Sequence, residues 1–157
     1  MHFQNFQTMK KLIFFLLTAG FFACQNADQS SVKALTQEEK DKAARDSANF
    51  TSIQWLDSTY KDLGKIKEGQ IVEVSYRFKN TGDKNLVIAN VSASCGCTVP
   101  EKPEKPFAPG EEGVIKAKFD SKGRGKGETR KEVFVTANTK PENLTQLSFR
   151  VEISDQK

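Results

Sequence analysis

At 157 residues, 37% hydrophobic and 28% charged, the chain has the content of a single folded domain, and its formal net charge is +4. Two of the positive charges, Lys10 and Lys11, fall in a segment that reads as an export signal; without them the balance is +4 minus 2, or +2, too small for a nucleic-acid-binding surface. The only histidine, His2, lies ahead of that segment, so the chain that would follow the signal has none for Ser-His-Asp or Cys-His catalysis or for histidine-ligated zinc, copper or iron.

The signal is "MKKLIFFLLTAGFFAC", residues 9–24. Lys10 and Lys11 make a charged start, and residues 12–23 make an apolar run of roughly 12 residues, where a membrane span needs about 20. Met9 is a better start than Met1, because "MHFQNFQT" adds nothing to a signal. Residues 1–23 are therefore expected to be a signal peptide. Cys24, directly after Ala23, resembles the acylated cysteine of a bacterial lipobox, although Phe21 and Phe22 stand where that pattern prefers Leu and a small residue. Lipidation of Cys24 would hold the protein to a membrane, at about 0.8 kcal/mol per buried methylene.

Residues 24–49 are polar and charged, and are expected to form a flexible tether. A transient helix fits "TQEEKDKAARD", with Thr36 as N-cap and Glu39 three residues on. A docked helix is disfavoured by the lack of a convincing apolar stripe.

From residue 50 to residue 157 the pattern has period two. Val72, Val74, Tyr76 and Phe78 alternate with Glu73, Ser75, Arg77 and Lys79; Ile115, Ala117 and Phe119 alternate with lysines; Leu147, Phe149, Val151 and Ile153 alternate with Ser148, Arg150 and Glu152. Such alternation marks strands with one wet and one buried face. Three further strands fit "TSIQWLD", "NLVIANVSAS" and "RKEVFVTAN"; in the last, Val133 and Val135 face inward with Lys131 at the margin of that face. Gly82 in "NTGDKN" offers a positive φ, Pro109-Gly110 a turn, and "SKGRGKGE" a glycine-rich hairpin tip. The expectation is an all-β, antiparallel sandwich of about seven strands.

Four motifs in order carry a resemblance: Asn80-Thr81-Gly82-Asp83, Ser94-Cys95-Gly96-Cys97-Thr98, Pro109-Gly110-Glu111 and "DSKGRGKG". Over about residues 55–153 the chain resembles the bacterial "domain of unknown function 1573" family. The resemblance implies an immunoglobulin-like sandwich of the Hydin and major-sperm-protein type, in secreted or lipid-anchored proteins of Bacteroidetes. The family has no assigned activity.

Cys95 and Cys97 flank Gly96. In an extended strand their Cα atoms would be roughly 6.6 Å apart on one face, so a disulfide needs a bend, which Gly96 can supply. Three readings stand: two small core side chains, a strained and easily reduced bridge, or a soft-metal site such as Cu(I) on two thiolates. The weakly polar surroundings, and the lack of histidine or a helix N-terminus, favour a role in the strand end over a reaction. Zinc would find only two of its usual four ligands.

"GRGKGE" lacks the Lys-Ser/Thr of a phosphate loop, and Lys122, Arg124, Lys126, Arg130 and Lys131 concentrate charge around it. They suit a solvated tip, or contact with an acidic envelope polymer or lipid headgroup. The expectation is a lipid-anchored protein of the cell envelope, in the inner or outer membrane and facing the periplasm or the outside. No cofactor or enzymatic activity is expected; the domain would bind an envelope protein or polymer through a strand edge or a loop end, and no nucleic acid. The alternative is a thiol redox or Cu(I)-handling protein using Cys95 and Cys97.

Overall fold

The computed structural model describes residues 33–155. Its elements are helix α1 (Gln37–Arg45), a 3₁₀ turn (Ser47–Asn49) and eight strands: β1 (Ile53–Trp55), β2 (Tyr60–Lys67), β3 (Ile71–Asn80), β4 (Ile88–Ala93), β5 (Thr98–Glu101), β6 (Glu112–Asp120), β7 (Gly127–Ala137) and β8 (Leu144–Ser154). They form two four-stranded sheets, ordered β1-β3-β6-β5 and β2-β8-β7-β4. The fold is the expected immunoglobulin-like sandwich. Two details are corrected: there are eight strands rather than about seven, and β2 runs parallel to β8 while the other pairings between named strands are antiparallel.

The alternating residues meet between the sheets. Val74, Tyr76 and Phe78 from β3, and Ile115, Ala117 and Phe119 from β6, face Leu147, Phe149, Val151 and Ile153 from β8 and Val133 and Val135 from β7, all buried. Aromatic rings meet edge to face: Phe119 on Phe149 at 5.8 Å joins the two sheets, and Phe78 packs on Phe107 at 4.9 Å and on Trp55 at 5.7 Å. The buried Tyr76 hydroxyl donates to the Ser148 carbonyl at 2.9 Å, a polar link from one sheet to the other. Burial raises the pKa of this phenol, so it stays a donor.

Changes of sheet are locked by polar groups. Between β1 and β2, the Asp57 carboxylate accepts from the Arg77 backbone N–H at 3.0 Å, from Arg77 Nη2 at 2.9 Å and from Lys61 Nζ at 3.1 Å. Those bonds, the Arg77 N–H foremost, hold its pKa far below the ordinary carboxylate range. Between β3 and β4, the fully buried Asn80 accepts from Thr51 Oγ1 at 2.9 Å and donates to the Lys84 and Phe107 carbonyls at 2.8 and 3.0 Å. Gly82 is required there for a reason other than the positive φ expected. A Cβ would stand 2.1 Å from Thr51 Oγ1, so the site demands the absence of a side chain. The glycine-rich 121–126 segment is also not a hairpin tip, because it joins β6 in one sheet to β7 in the other.

Residues 33–49 differ from the expected tether; residues 24–32 lie outside the described part. Thr36 and Glu39 form the capping box read from the sequence, and α1 is docked. Docking is polar. Lys40, only 4% exposed, donates to the Pro103 carbonyl at 3.1 Å; Gln37 Nε2 donates to Ala89 O of β4 at 3.0 Å; Leu35 N–H donates to Glu104 O at 3.3 Å. Burial, with Lys102 nearby, lowers the Lys40 pKa. Ala44 is the one buried apolar residue of the helix, which is why a search for an apolar stripe misses it.

Helix α1 also covers an edge. The Ser94 N–H bond to Glu132 O at 3.1 Å, with the β4–β7 register, turns the main-chain groups of Val91 and Ala93 to the open side of β4, beside α1. On β5 the Asp120 N–H bond to Cys97 O turns Thr98 and Pro100 outward. Pro100 has no N–H and the Thr98 N–H is spent on Cys95 O, so this edge offers no free donor. A bulge at Gly64 (φ 70°) and three lysines, Lys61, Lys65 and Lys67, interrupt β2, and β1 is three residues long.

Two predictions follow from this packing. Phe78→Ala or Phe119→Ala should each cost about 3–5 kcal/mol in chemical denaturation. Asp57→Asn should lower the thermal midpoint at neutral pH. Because the folded-state pKa of Asp57 is depressed, its contribution is present above about pH 3.9, the unfolded value, and is lost as pH falls through the folded value. The gap between variant and wild type should therefore close in strong acid; an unchanged gap across that range would contradict the assignment.

Candidate functional site

The two cysteines sit where the chain leaves β4 in one sheet and enters β5 in the other. Ala93, paired with Val133, is the last ladder residue of β4. Ser94 prolongs the pairing, its N–H donating to Glu132 O at 3.1 Å and its Oγ accepting from Glu132 N–H at 3.3 Å. A turn then closes with Thr98 N–H on Cys95 O at 3.2 Å, and β5 starts with Asp120 N–H on Cys97 O at 2.9 Å. Main-chain bonds therefore hold the segment on both sides of the thiols.

Cys95 and Cys97 form a disulfide, with Cα atoms 5.3 Å apart. The turn shortens the extended separation, and Gly96 lies at its exposed apex with φ outside the positive region. Cys97 is 3% exposed and belongs to the core, whereas Cys95 is half-buried against it. Thr98 Oγ1 lies 3.8 Å from Cys95 Sγ and 4.0 Å from Cys97 Sγ. A closed loop of three residues removes little chain entropy, about 1.6 kcal/mol against about 3 for fifteen residues.

One neighbour is distant in sequence. Extending the β4–β7 register past Ser94 and Glu132 sets Cys95 opposite Lys131. Lys131 is half-buried, on the parity of Val133 and Val135, and its ammonium lies 6.0 Å from the centroid of the Phe119 ring; Phe119 is in turn the register partner of Thr98. The sequence places Lys131 at the margin of the inward face, and the pairing of β4 with β7 sets it one residue beyond the Glu132 that bonds Ser94. Lys102, the nearest downstream cation in sequence, instead bonds Gln37 of α1.

The basic loop lies at the same end of the sandwich, since Ser121 beside it bonds the carbonyls of Lys67 and Gln70 in the β2–β3 turn at 3.0 and 2.8 Å. Gly123, Gly125 and Gly127 all take positive φ, which lets the chain arch between sheets. Its cations are not equivalent. Lys126 pairs with Asp155 at 2.5 Å, and Arg130 stacks on Tyr60 and donates to Ser148 Oγ at 3.1 Å. Among the described residues, Lys122 and Arg124 hold no ion pair. Nor do the described residues contain a group of three or more His, Cys, Asp or Glu able to hold a metal, or a helix long and apolar enough to cross a membrane. Cys24 and residues 1–23 lie outside the described part.

The family model described as "Protein of unknown function (DUF1573)" matches residues 53–153, which is all eight strands but for the last residue of β8. The chain belongs to the DUF1573 family. A Porphyromonas gingivalis protein of unknown function is similar in structure, with TM-score 0.59 and 17% identity over 68% of this chain and 49% of its own. This DUF1573 chain thus spans about half of that protein. The ASH/PapD-like domain 7 of human CEP192 is similar with TM-score 0.55 and 9% identity, over 69% of this chain and 89% of that domain. At these identities the likeness is one of fold. No curated protein matches the chain.

Because backbone bonds secure the Cys95–Cys97 turn, Cys95→Ala with Cys97→Ala should destabilise by only about 1–3 kcal/mol, less than Phe119→Ala, in the same denaturation experiment. A double variant that fails to fold would reverse that order.

Proposed function

We propose that this DUF1573 chain is a lipid-anchored protein of the bacterial cell envelope, whose sandwich acts as a non-catalytic binding or assembly module. The anchor rests on the sequence: two lysines, an apolar run too short to span a bilayer, and Cys24 at its end. The binding reading rests on the distribution of exposed groups over a PapD-like sandwich. Each sheet edge is covered, bulged, short or without donors, while Lys122 and Arg124, exposed in a glycine-rich arch, hold no ion pair among the described residues. A loop end on a rigid scaffold is a common place for recognition. Of the two surfaces anticipated, an edge or a loop end, this distribution favours the loop end around Lys122 and Arg124, with an acidic envelope protein or polymer as partner. No observation favours a nucleic acid or a bound cofactor.

Cys24→Ser should abolish labelling by a fatty-acid analogue and move the protein from the membrane to the soluble fraction; equal labelling in the variant would end the anchor reading. A photocrosslinking residue at position 122 or 124, in cells, should give a discrete adduct that the same residue at Lys116, on the outer sheet face, does not. Adducts at neither loop position, or at all three alike, would count against the loop end as contact surface.

A further inference from the structure

We propose that the Cys95–Cys97 disulfide is a site of reversible thiol–disulfide exchange, entered at Cys95 by a protein dithiol while the sandwich stays folded. This goes beyond the binding reading and is independent of the anchor. It also departs from the strand-end role expected from the sequence, because it uses neighbours that only the fold supplies.

Three observations carry it. The bridge is not alone in holding the turn: Ser94 N–H on Glu132 O, Thr98 N–H on Cys95 O and Asp120 N–H on Cys97 O hold it as well. These bonds give the turn a main-chain frame within which the covalent bond can open and close. The two sulfurs are also unequal. Cys97 is buried and Cys95 half-buried, and Gly96 between them is exposed, with nothing within 4 Å of where its Cβ would stand. An incoming chain therefore has room over the apex and meets Cys95 first. Finally, groups suited to a leaving thiolate are in place. The Thr98 hydroxyl lies within sulfur hydrogen-bond range of both cysteines, and Lys131, one residue beyond the Glu132 that bonds Ser94, places a cation by the Phe119 ring at this end of the core.

The exchange balances as follows. A thiolate of the partner attacks Cys95 Sγ, a bond forms between the two sulfurs, and the Cys95–Cys97 bond breaks with its electron pair on Cys97 Sγ. Thr98 Oγ1–H donates to that thiolate, and the Lys131 charge favours it. The partner's second thiolate then attacks the partner sulfur of the mixed disulfide, closing the partner's own disulfide and releasing Cys95 as thiolate. The two protons given up by the partner's thiols end on Cys95 and Cys97, and two electrons have passed to the pair. The reverse sequence reduces a partner disulfide. Gly96 as the only spacer, with no side chain over the apex, suits this approach.

The test uses the purified full chain in glutathione redox buffers, with free thiols read as mass increments after alkylation and folding followed by near-ultraviolet circular dichroism. Two increments beyond any from Cys24 should appear together as the buffer becomes reducing, with the native spectrum kept, and should vanish on reoxidation. In the single variants, Cys95 of Cys97→Ser should react with glutathione disulfide about tenfold faster than Cys97 of Cys95→Ser, following accessibility. Lys131→Met and Thr98→Val should each slow reduction of the bridge by dithiothreitol at unchanged spectrum. A bridge that resists every buffer until the spectrum is lost would overturn the proposal, as would single variants that react equally or in the opposite order. Either failure leaves the fatty-acid labelling and crosslinking outcomes untouched.

Discussion

The chain changes sheets in five of its seven strand connections, namely β1–β2, β2–β3, β3–β4, β4–β5 and β6–β7. Each change takes backbone out of one ladder before it joins the other, and the polar groups released must find partners. The rest of the structure follows from how these crossings are satisfied. Asp57 takes the Arg77 N–H at the first, Ser121 Oγ takes two carbonyls at the second, and Asn80 gathers the third. Near the same loops, the buried Asn138 accepts from Val87 N–H at 2.7 Å and donates to the Asn49 and Asn85 carbonyls at 2.6 and 2.9 Å. The fourth crossing is the exception: main-chain bonds to β7 and β6 flank it and one closes its turn, and a disulfide is added to them.

That difference separates structure from chemistry. Asn80 and Asn138 are wholly buried with every side-chain bond spoken for, so losing either would strand several backbone partners at once. Cys95 and Cys97 leave no backbone group unpaired when their bond opens. Within one small sandwich the indispensable polar groups are therefore at the end carrying the β3–β4 and β7–β8 loops, and the adjustable group is at the opposite end, beside the basic arch.

The strands were legible because period-two alternation reports directly on which face is buried, and this sandwich buries one face of each sheet. Tyr76, Phe119 and Val151 all lie where their parity puts them. Strand pairing was not legible, since parity says nothing of which strand lies beside which; hence the parallel β2–β8 pair, and the arch read as a hairpin. In the sequence Gly82 signals conformation, when what matters is Thr51 arriving from 31 residues upstream along a path set only by the fold. The docked helix escaped because Lys40 and Gln37 bind carbonyls, and carbonyl positions are absent from any hydropathy pattern. At the candidate site, the cysteines and the bend at Gly96 could be read, while the position of Lys131 just past the Ser94–Glu132 bond depends on the register of β4 on β7.

The polar docking of α1 has a mechanical side. A pull applied at Lys33 reaches the sandwich through Leu35 on Glu104, Gln37 on Ala89 and Lys40 on Pro103, isolated bonds met one after another along the helix. The β7–β8 ladder, eleven residues in each strand, is loaded only afterwards. Under tension the helix would part from the sandwich before the paired strands are loaded, and its capping box of Thr36 and Glu39 would let it re-form when the load is released. A segment that looks from its sequence like an inert spacer would then be the first part of the domain to yield.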